Sequence, residues 1–241
     1  HVHLRRQRQM CIRDSNTAMV IGVVEESSER HFFLWPPING AHNQYTLDDT
    51  SRKDLLDCDW LHVSGISLRF SPVKETMLEA MRLCNEKSKI VSFDLNLRSE
   101  LWGFSESFKE TVLEAVSYSS IVFGNLHEEF LLIYDGNEDT LDKHISEKQT
   151  FICRDGHNGA LGITNKDKVI SNAIPISPID SVGAGDAFNT GFIYASCCRK
   201  DIEESLDIGN QVAAFKLLGS GARHLPTKEL LDDFNKRYQI N

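Results

Sequence analysis

The densest chemistry in the chain lies in Asp180-Ser181-Val182-Gly183-Ala184-Gly185-Asp186-Ala187-Phe188-Asn189, between a Pro-containing loop and an apolar helical run. Gly183, Ala184 and Gly185 put almost no side chain between the backbone and a ligand, and N–H groups at a helix start lack acceptors within the helix. Together they offer an anion cradle. Asp186 falls in the first helical turn, where an acid ordinarily matches the helix dipole. Beside a bound phosphate the same carboxylate can take a proton from an attacking hydroxyl. The plainer explanation is a Gly-rich loop that only permits a tight strand-to-helix turn. The length of the string and the acids at both of its ends favour the cradle. No G-K-[ST] follows, and G-x-G-x-x-G is absent, so this is neither a P-loop nor a dinucleotide fingerprint.

Three other stretches carry candidate chemistry. Asn125-Leu126-His127-Glu128 follows an apolar strand; alone, such a pair reads as a helix cap. Arg154-Asp155-Gly156-His157-Asn158-Gly159 joins a cation to two glycines. Phe93-Asp94-Leu95-Asn96-Leu97-Arg98-Ser99-Glu100-Leu101-Trp102 leaves a strand at its carboxyl end, where open α/β sheets bind ligands. The fork of Arg98 suits a carboxylate or a phosphate equally. Its plainer role is a surface pair with Glu100.

The Asp180–Asp186 string resembles the second signature, D-T-x-G-A-G-D, of the ribokinase-like (phosphofructokinase-B type) carbohydrate kinases, with Ser181 keeping the hydroxyl of the Thr. The resemblance implies that Gly183, Ala184, Gly185 and the Asp186 amide form the anion hole and that Asp186 is the catalytic base. It further implies that Asn125 lies near the nucleotide phosphates and that Glu128 of the N-x-x-E motif holds Mg²⁺ through water. Arg154, Gly156 and Gly159 match a K-x-G-x-x-G stretch that approaches the nucleotide, with Arg replacing Lys, which keeps charge but not geometry. Asn210 is assigned a place near the adenine, against the plainer reading of a solvated helix Asn.

Asp94, Asn96 and Arg98 match the D-x-N-x-R-x-x-L-W segment of 2-keto-3-deoxygluconate kinases and fructokinase relatives, and Leu61-His62-Val63-Ser64-Gly65-Ile66 resembles the L-H-x-S-G-I of the former. These matches imply a sugar or sugar acid bound at those three residues. ATP and Mg²⁺ follow as cofactors, with a monovalent cation left open. The expected activity is ATP-dependent phosphorylation of a small sugar or sugar acid of the 2-keto-3-deoxygluconate type. Fructokinase or another hexose kinase is the alternative, because Gly40-Ala41-His42-Asn43 resembles the G-A-N of other sugar kinases.

These motifs need a scaffold that brings strand ends together. Apolar runs at Trp60–Val63, Ile90–Asp94, Ser120–Phe123, Thr150–Arg154 and Ala160–Thr164 read as strands. Helical patterns separate or follow them, with one face made of Val73, Met77, Ala80, Met81 and Cys84 after a Ser71-Pro72 start, and another of Phe108, Val112, Ala115 and Val116. A short helix is expected over 128–134, and longer ones over 185–198 and 202–218. The pattern predicts an α/β, doubly wound, mostly parallel sheet with helices on both faces. Thr17–Glu25 and Arg30–Trp35 read as a hairpin, which the resemblance makes a small β lid over the sugar and the route to a homo-oligomer.

The expected organisation is a leader over 1–16, a lid segment over 17–50 and a kinase core over 51–241. His1–Asp14 has neither apolar periodicity nor a signal-peptide core, so it is set aside as a leader foreign to the fold. The family's opening strands and Gly-Gly motif have no counterpart upstream of Thr17. That leaves open a nucleotide-binding fragment without catalysis.

The 241 residues carry 26 Lys and Arg against 35 Asp and Glu, a net charge of −9. Arg5, Arg6, Arg8 and Arg13 fall in the first thirteen residues, which hold no acid, so the rest is more acidic still, which argues against a nucleic-acid partner. No apolar run approaches the length of a membrane span. Six cysteines without C-x-x-C spacing read as reduced thiols, mostly core filler, in a cytoplasmic protein.

Overall fold

A computed structural model describes residues 16–24, 30–35, 40–134 and 136–240. The basic leader, apart from Asn16, lies outside the described residues. The fold class is α/β, and the chain divides into two compact units, up to Ser120 and from Ile121 onward.

In the first unit, β1 (Met19–Val24) and β2 (Arg30–Trp35) form an antiparallel ribbon, with Met19 opposite Trp35 and Ile21 opposite Phe33. The expected hairpin is there, and its apolar side chains are open: Val20 is 62% exposed and Phe33 58%. Helix α1 (Asp49–Asp57) follows, capped where Ser51 N donates to Asp48 Oδ1. Strands β3 (Trp60–Ser64) and β4 (Ile90–Asp94) pair in parallel. Between them, α2 (Val73–Glu86) buries Val73, Thr76, Ala80, Met81 and Cys84. The predicted face holds, with Thr76 in the place expected for Met77.

Its predicted start does not hold. Ser71 gives its hydroxyl to Glu75 Oε1 (2.7 Å) instead of capping the helix, and Pro72 occupies the N-cap position. Helix α4 (Glu106–Ser117), capped by Ser105, buries the four predicted residues. It is preceded by a single turn, α3 (Ser99–Trp102). Val91, Phe93, Leu95 and Leu97 are fully or almost fully buried.

In the second unit, β5 (Ile121–Asn125) and β6 (Thr150–Arg154) are parallel. β7 (Ala160–Ile163) and β8 (Lys168–Ser171) continue as an antiparallel meander. The expectation of a mostly parallel sheet holds, and the antiparallel returns are confined to β7 and β8, because loops of only a few residues join β6, β7 and β8 and such loops permit only antiparallel returns. The helix expected over 128–134 is a π turn, Leu126–Phe130, running into one α turn, α5 (Leu131–Ile133).

Helices α6 (Ala184–Cys197) and α7 (Ile202–Leu217) pack closely. A methyl group on Gly191 would lie 2.9 Å from the Ile208 carbonyl, and one on Gly209 would lie 2.9 Å from the Phe188 ring, so both crossings need glycine. Phe123, Ile152, Ala160, Phe188, Phe192 and Leu206 form the buried core, with Phe123 and Phe192 edge to face at 5.3 Å. Each such ring contributes about 2–3 kcal/mol of burial. Helix α8 (Lys228–Tyr238), capped by Thr227, ends the unit.

All five described cysteines are free. Cys84 and Cys153 are core filler as expected, and burial pushes the Cys84 thiol up to about 11 and that of Cys153 further. Cys197 and Cys198 are exposed, which the sequence reading did not anticipate.

Candidate active site

The Gly183–Asp186 loop is built by clamps on both sides. Asp180 accepts the Val182 amide on Oδ1 (2.9 Å) and the Gly221 amide on Oδ2 (2.8 Å). Lys216, wholly buried, donates its ammonium to the Asp180 carbonyl at 2.6 Å. Gly183 sits at φ 80°, a left-handed conformation that L side chains resist, with Ala222 close enough to crowd any added methyl. Helix α6 starts at the next residue with no side chain capping it. The Ala184 amide donates to the Ser181 carbonyl at 3.2 Å, so the next two amides, Gly185 and Asp186, are those open to a ligand, and the helix dipole favours an anion there. Asp186 is exposed on the first turn, while Ala187, Phe188 and Asn189 turn inward to the core.

A second chain of contacts runs to the same turn from the end of β5. Asn125 accepts the amides of His127 and Glu128 on Oδ1, both at 2.9 Å, so its oxygen serves as the cap of the π turn. Glu129, not Glu128, points inward: it is buried and accepts the Asn125 amide at 2.7 Å. Arg154 Nη2 lies 3.7 Å from Glu129 Oε2, and Nη1 donates to Asn189 Oδ1 (2.9 Å) and the Gly185 carbonyl (3.3 Å). A Cβ on Gly185 would meet Arg154 Nη1 at 3.0 Å. Arg154 thus ties the turn after β5 to the start of α6.

Glu128 is exposed beside this network. Among the described residues no three His, Cys, Asp or Glu side chains gather into a metal cage. A single open carboxylate fits a Mg²⁺ ion that arrives on phosphates and keeps its water.

Gly156 (φ 55°) and Gly159 (φ 103°) shape the turn after β6. Gly159 presses on the Ser171 carbonyl and the Ala173 amide so closely that no methyl fits. Asp155 accepts from Asn158 at 3.0 Å and faces His127 Nε2 at 3.2 Å. An open groove of about 430 Å³ lies here, lined by Asp155, His157, Leu161, Ile170 and Asn172 among others. Asn210 is buried and gives its amide protons to Ser171 Oγ (2.8 Å), Ser171 O (3.2 Å) and Asn172 O (3.3 Å). The solvated-Asn reading is overturned: Asn210 braces a wall of the groove.

In the first unit, Asp94 is buried at the end of β4. Asn96 (φ 35°) donates to Ser64 Oγ at 2.8 Å, and Arg98 (φ 48°) is also left-handed. The Arg98 side chain is 46% exposed, with Glu100 Oε1 a loose 3.7 Å from Nη1. Gly65 lies against the Leu95 carbonyl with no room for a methyl, which explains the glycine of the Ser64-Gly65-Ile66 string.

Sequence reading missed Glu129, Asp180 and Lys216. Two of them left a signal: Asp180 opens the motif, and Lys216 interrupts an otherwise apolar run, Val212 to Leu218. Glu129 did not, because a π turn moves the inward position by one residue.

No helix of the described residues is long and apolar enough to cross a membrane. The sequence pattern of the pfkB family carbohydrate kinases matches residues 7–229, beginning inside the basic leader. A 5-dehydro-2-deoxygluconokinase of Clostridium perfringens is 25% identical over 205 residues, covering 82% of this chain and 61% of its own length. A 2-dehydro-3-deoxygluconokinase of Haemophilus influenzae is 26% identical over 208 residues, covering 83% and 66%. The chain thus spans less than two thirds of the length of either relative. Fructokinase from Vibrio cholerae O395, solved with fructose, ADP and calcium ion, superposes with a TM-score of 0.75 at 25% identity, over 90% of this chain and 73% of that one. An uncapped helix start behind a left-handed glycine, an exposed acid on its first turn and a match over nearly the whole sequence lead to one assignment: the chain belongs to the pfkB family of carbohydrate kinases.

Proposed function

We propose that the protein transfers the γ-phosphoryl group of ATP to a hydroxyl of a small sugar acid of the 2-keto-3-deoxygluconate type. The observation that carries this reading is the first turn of α6, where uncapped amides and the exposed Asp186 share one helix start. The acceptor hydroxyl gives its proton to Asp186 as its oxygen bonds to the γ-phosphorus. The bond to the bridging oxygen breaks, and ADP leaves. The amides of Gly185 and Asp186 receive the charge that builds on the transferring group, and the Asp180 and Lys216 clamps spare them reorganisation. Mg²⁺, when bound, neutralises the phosphates, and Glu128 would hold it through water. The groove beside Asp155 and Asn172 is the place the nucleotide would take.

Arg98 supports an acid over a neutral sugar, because an exposed guanidinium with a loose partner can take a carboxylate, which a neutral sugar does not offer. The similarity to a fructose-bound fructokinase supports a neutral ketohexose as the second reading. An ADP-release assay with Mg-ATP and 2-keto-3-deoxygluconate, fructose or ribose, run beside ATP calorimetry, tests both. Turnover with fructose alone would replace the acid by the hexose, and ATP binding without sugar-dependent turnover would sink the kinase reading for this chain.

A further inference from the structure

The segment that carries Arg98 is held by a residue that the motif does not contain. The Arg69 guanidinium donates through Nη1 to the Gly103 carbonyl (2.9 Å) and through Nη2 to the Leu97 carbonyl. These two acceptors flank α3 and Arg98, so one planar fork closes the segment like a staple. The fork is itself held flat, with its central carbon 3.5 Å from the centre of the Phe108 ring and 5.5 Å from that of Trp102. Its Nε is buried without an acceptor, a cost that a residue selected only for stability would shed.

The segment needs a staple because its backbone is held against its own preference. Asn96 and Arg98 are both left-handed, and neither is glycine. Relaxing Arg98 to the ordinary right-handed region would swing its side chain away from the direction it now takes. The Asn96 side chain has a bond of its own to Ser64, whereas among the described residues the Arg98 side chain has the loose ion pair with Glu100, its carbonyl accepting the Leu101 and Trp102 amides.

We propose that Arg69 is a positioning residue for the substrate anion, holding the Leu97–Gly103 turn so that Arg98 presents its guanidinium to the carboxylate of the sugar acid. This rests on the function proposed above. The test uses Arg69→Met, which keeps the stem on Phe108 and loses both bonds, and Arg69→Lys, which keeps charge but cannot span two carbonyls. Both should raise KM for 2-keto-3-deoxygluconate about tenfold and leave kcat and the KM values for fructose and ATP within about twofold. Hydrogen exchange at the amides of Leu101, Trp102 and Gly103 should quicken about tenfold in both, with α2 and α4 unchanged as the internal standard of folding.

A wild-type KM for the acid in both variants overturns the proposal, as does an equal rise in KM for fructose, which would mark general loosening. Unchanged exchange at 101–103 overturns it whatever the kinetics. If the wild-type chain turns over neither sugar, the kinase reading falls, and the exchange measurement alone decides whether Arg69 holds the turn.

Discussion

The two loops assigned to phosphate and sugar both depend on left-handed backbone, yet they are built in opposite ways. Gly183 adopts φ 80° without a side chain to oppose it, and the clamps from Asp180 and Lys216 act on the backbone around it. Asn96 and Arg98 adopt φ 35° and 48° with side chains that the proposal assigns to the sugar; Asn96 bonds Ser64, and Arg69 bonds the carbonyls on either side of the Arg98 turn. A loop that works through its amides can dispense with side chains, whereas a loop that must present a guanidinium carries the strain and needs an outside hold. Glycine lowers that strain locally; a distant arginine offsets it through tertiary contacts.

The largest expected effect lies in the glycine loop. Asp186→Asn should lower kcat by about 10²–10⁴-fold while ATP affinity by calorimetry stays within about twofold. A variant with near-normal turnover would remove Asp186 from the proton transfer. Asp180→Ala should leave the Val182 and Gly221 amides without their acceptor and cost about 1–3 kcal/mol in a urea melt. An unchanged midpoint would show that the loop needs no clamp. Gly183→Ala should cost about 1–2 kcal/mol from the left-handed backbone, with the crowding by Ala222 added to it.

The sugar-side loop should give smaller changes of a different kind. Asn96→Ala loses a hydrogen bond and the tolerance of Asn for φ 35°, and should cost about 1–2 kcal/mol. Asn96→Gly loses the same bond but gains freedom at that φ, so its melt should stay within about 0.5–1 kcal/mol of wild type. Equal losses in the two variants would mean that the Ser64 bond alone holds Asn96, and the contrast between the loops would collapse.

The smallest expected effect is in neither loop. Partial desolvation lowers the His42 imidazole from its ordinary value of 6.5, so the folded state binds this proton less readily than the unfolded one. The contribution is present above about pH 6.5 and is lost as the pH falls through the lowered value. A slight acid-side decline in the urea midpoint, absent in His42→Gln, is the expected reading.

Much of the scaffold was legible because its rules are local. The faces of α2 and α4 followed from spacing alone, whereas the caps at Asp48, Ser105, Asp201 and Thr227, though each accepts an amide three positions on, were not read from sequence, and α1 and α8 went unnoticed with them. Strand β8 escaped notice because Lys168-Val169-Ile170-Ser171 is too short for its alternation to stand out from a loop. The antiparallel meander was missed with it.

The sequence by itself determined the family, the strand-to-helix turn at Gly183 and the acid on the first turn of α6, since all three are written within a few consecutive residues. Only the tertiary structure decided that Arg154 bonds the start of α6, that Glu129 is the inward acid, that Asn210 braces the groove and that Arg69 bonds the carbonyls on either side of the Arg98 turn. Long side chains find partners about thirty residues away in sequence, and the packing of whole elements selects among those partners where local backbone preference is silent.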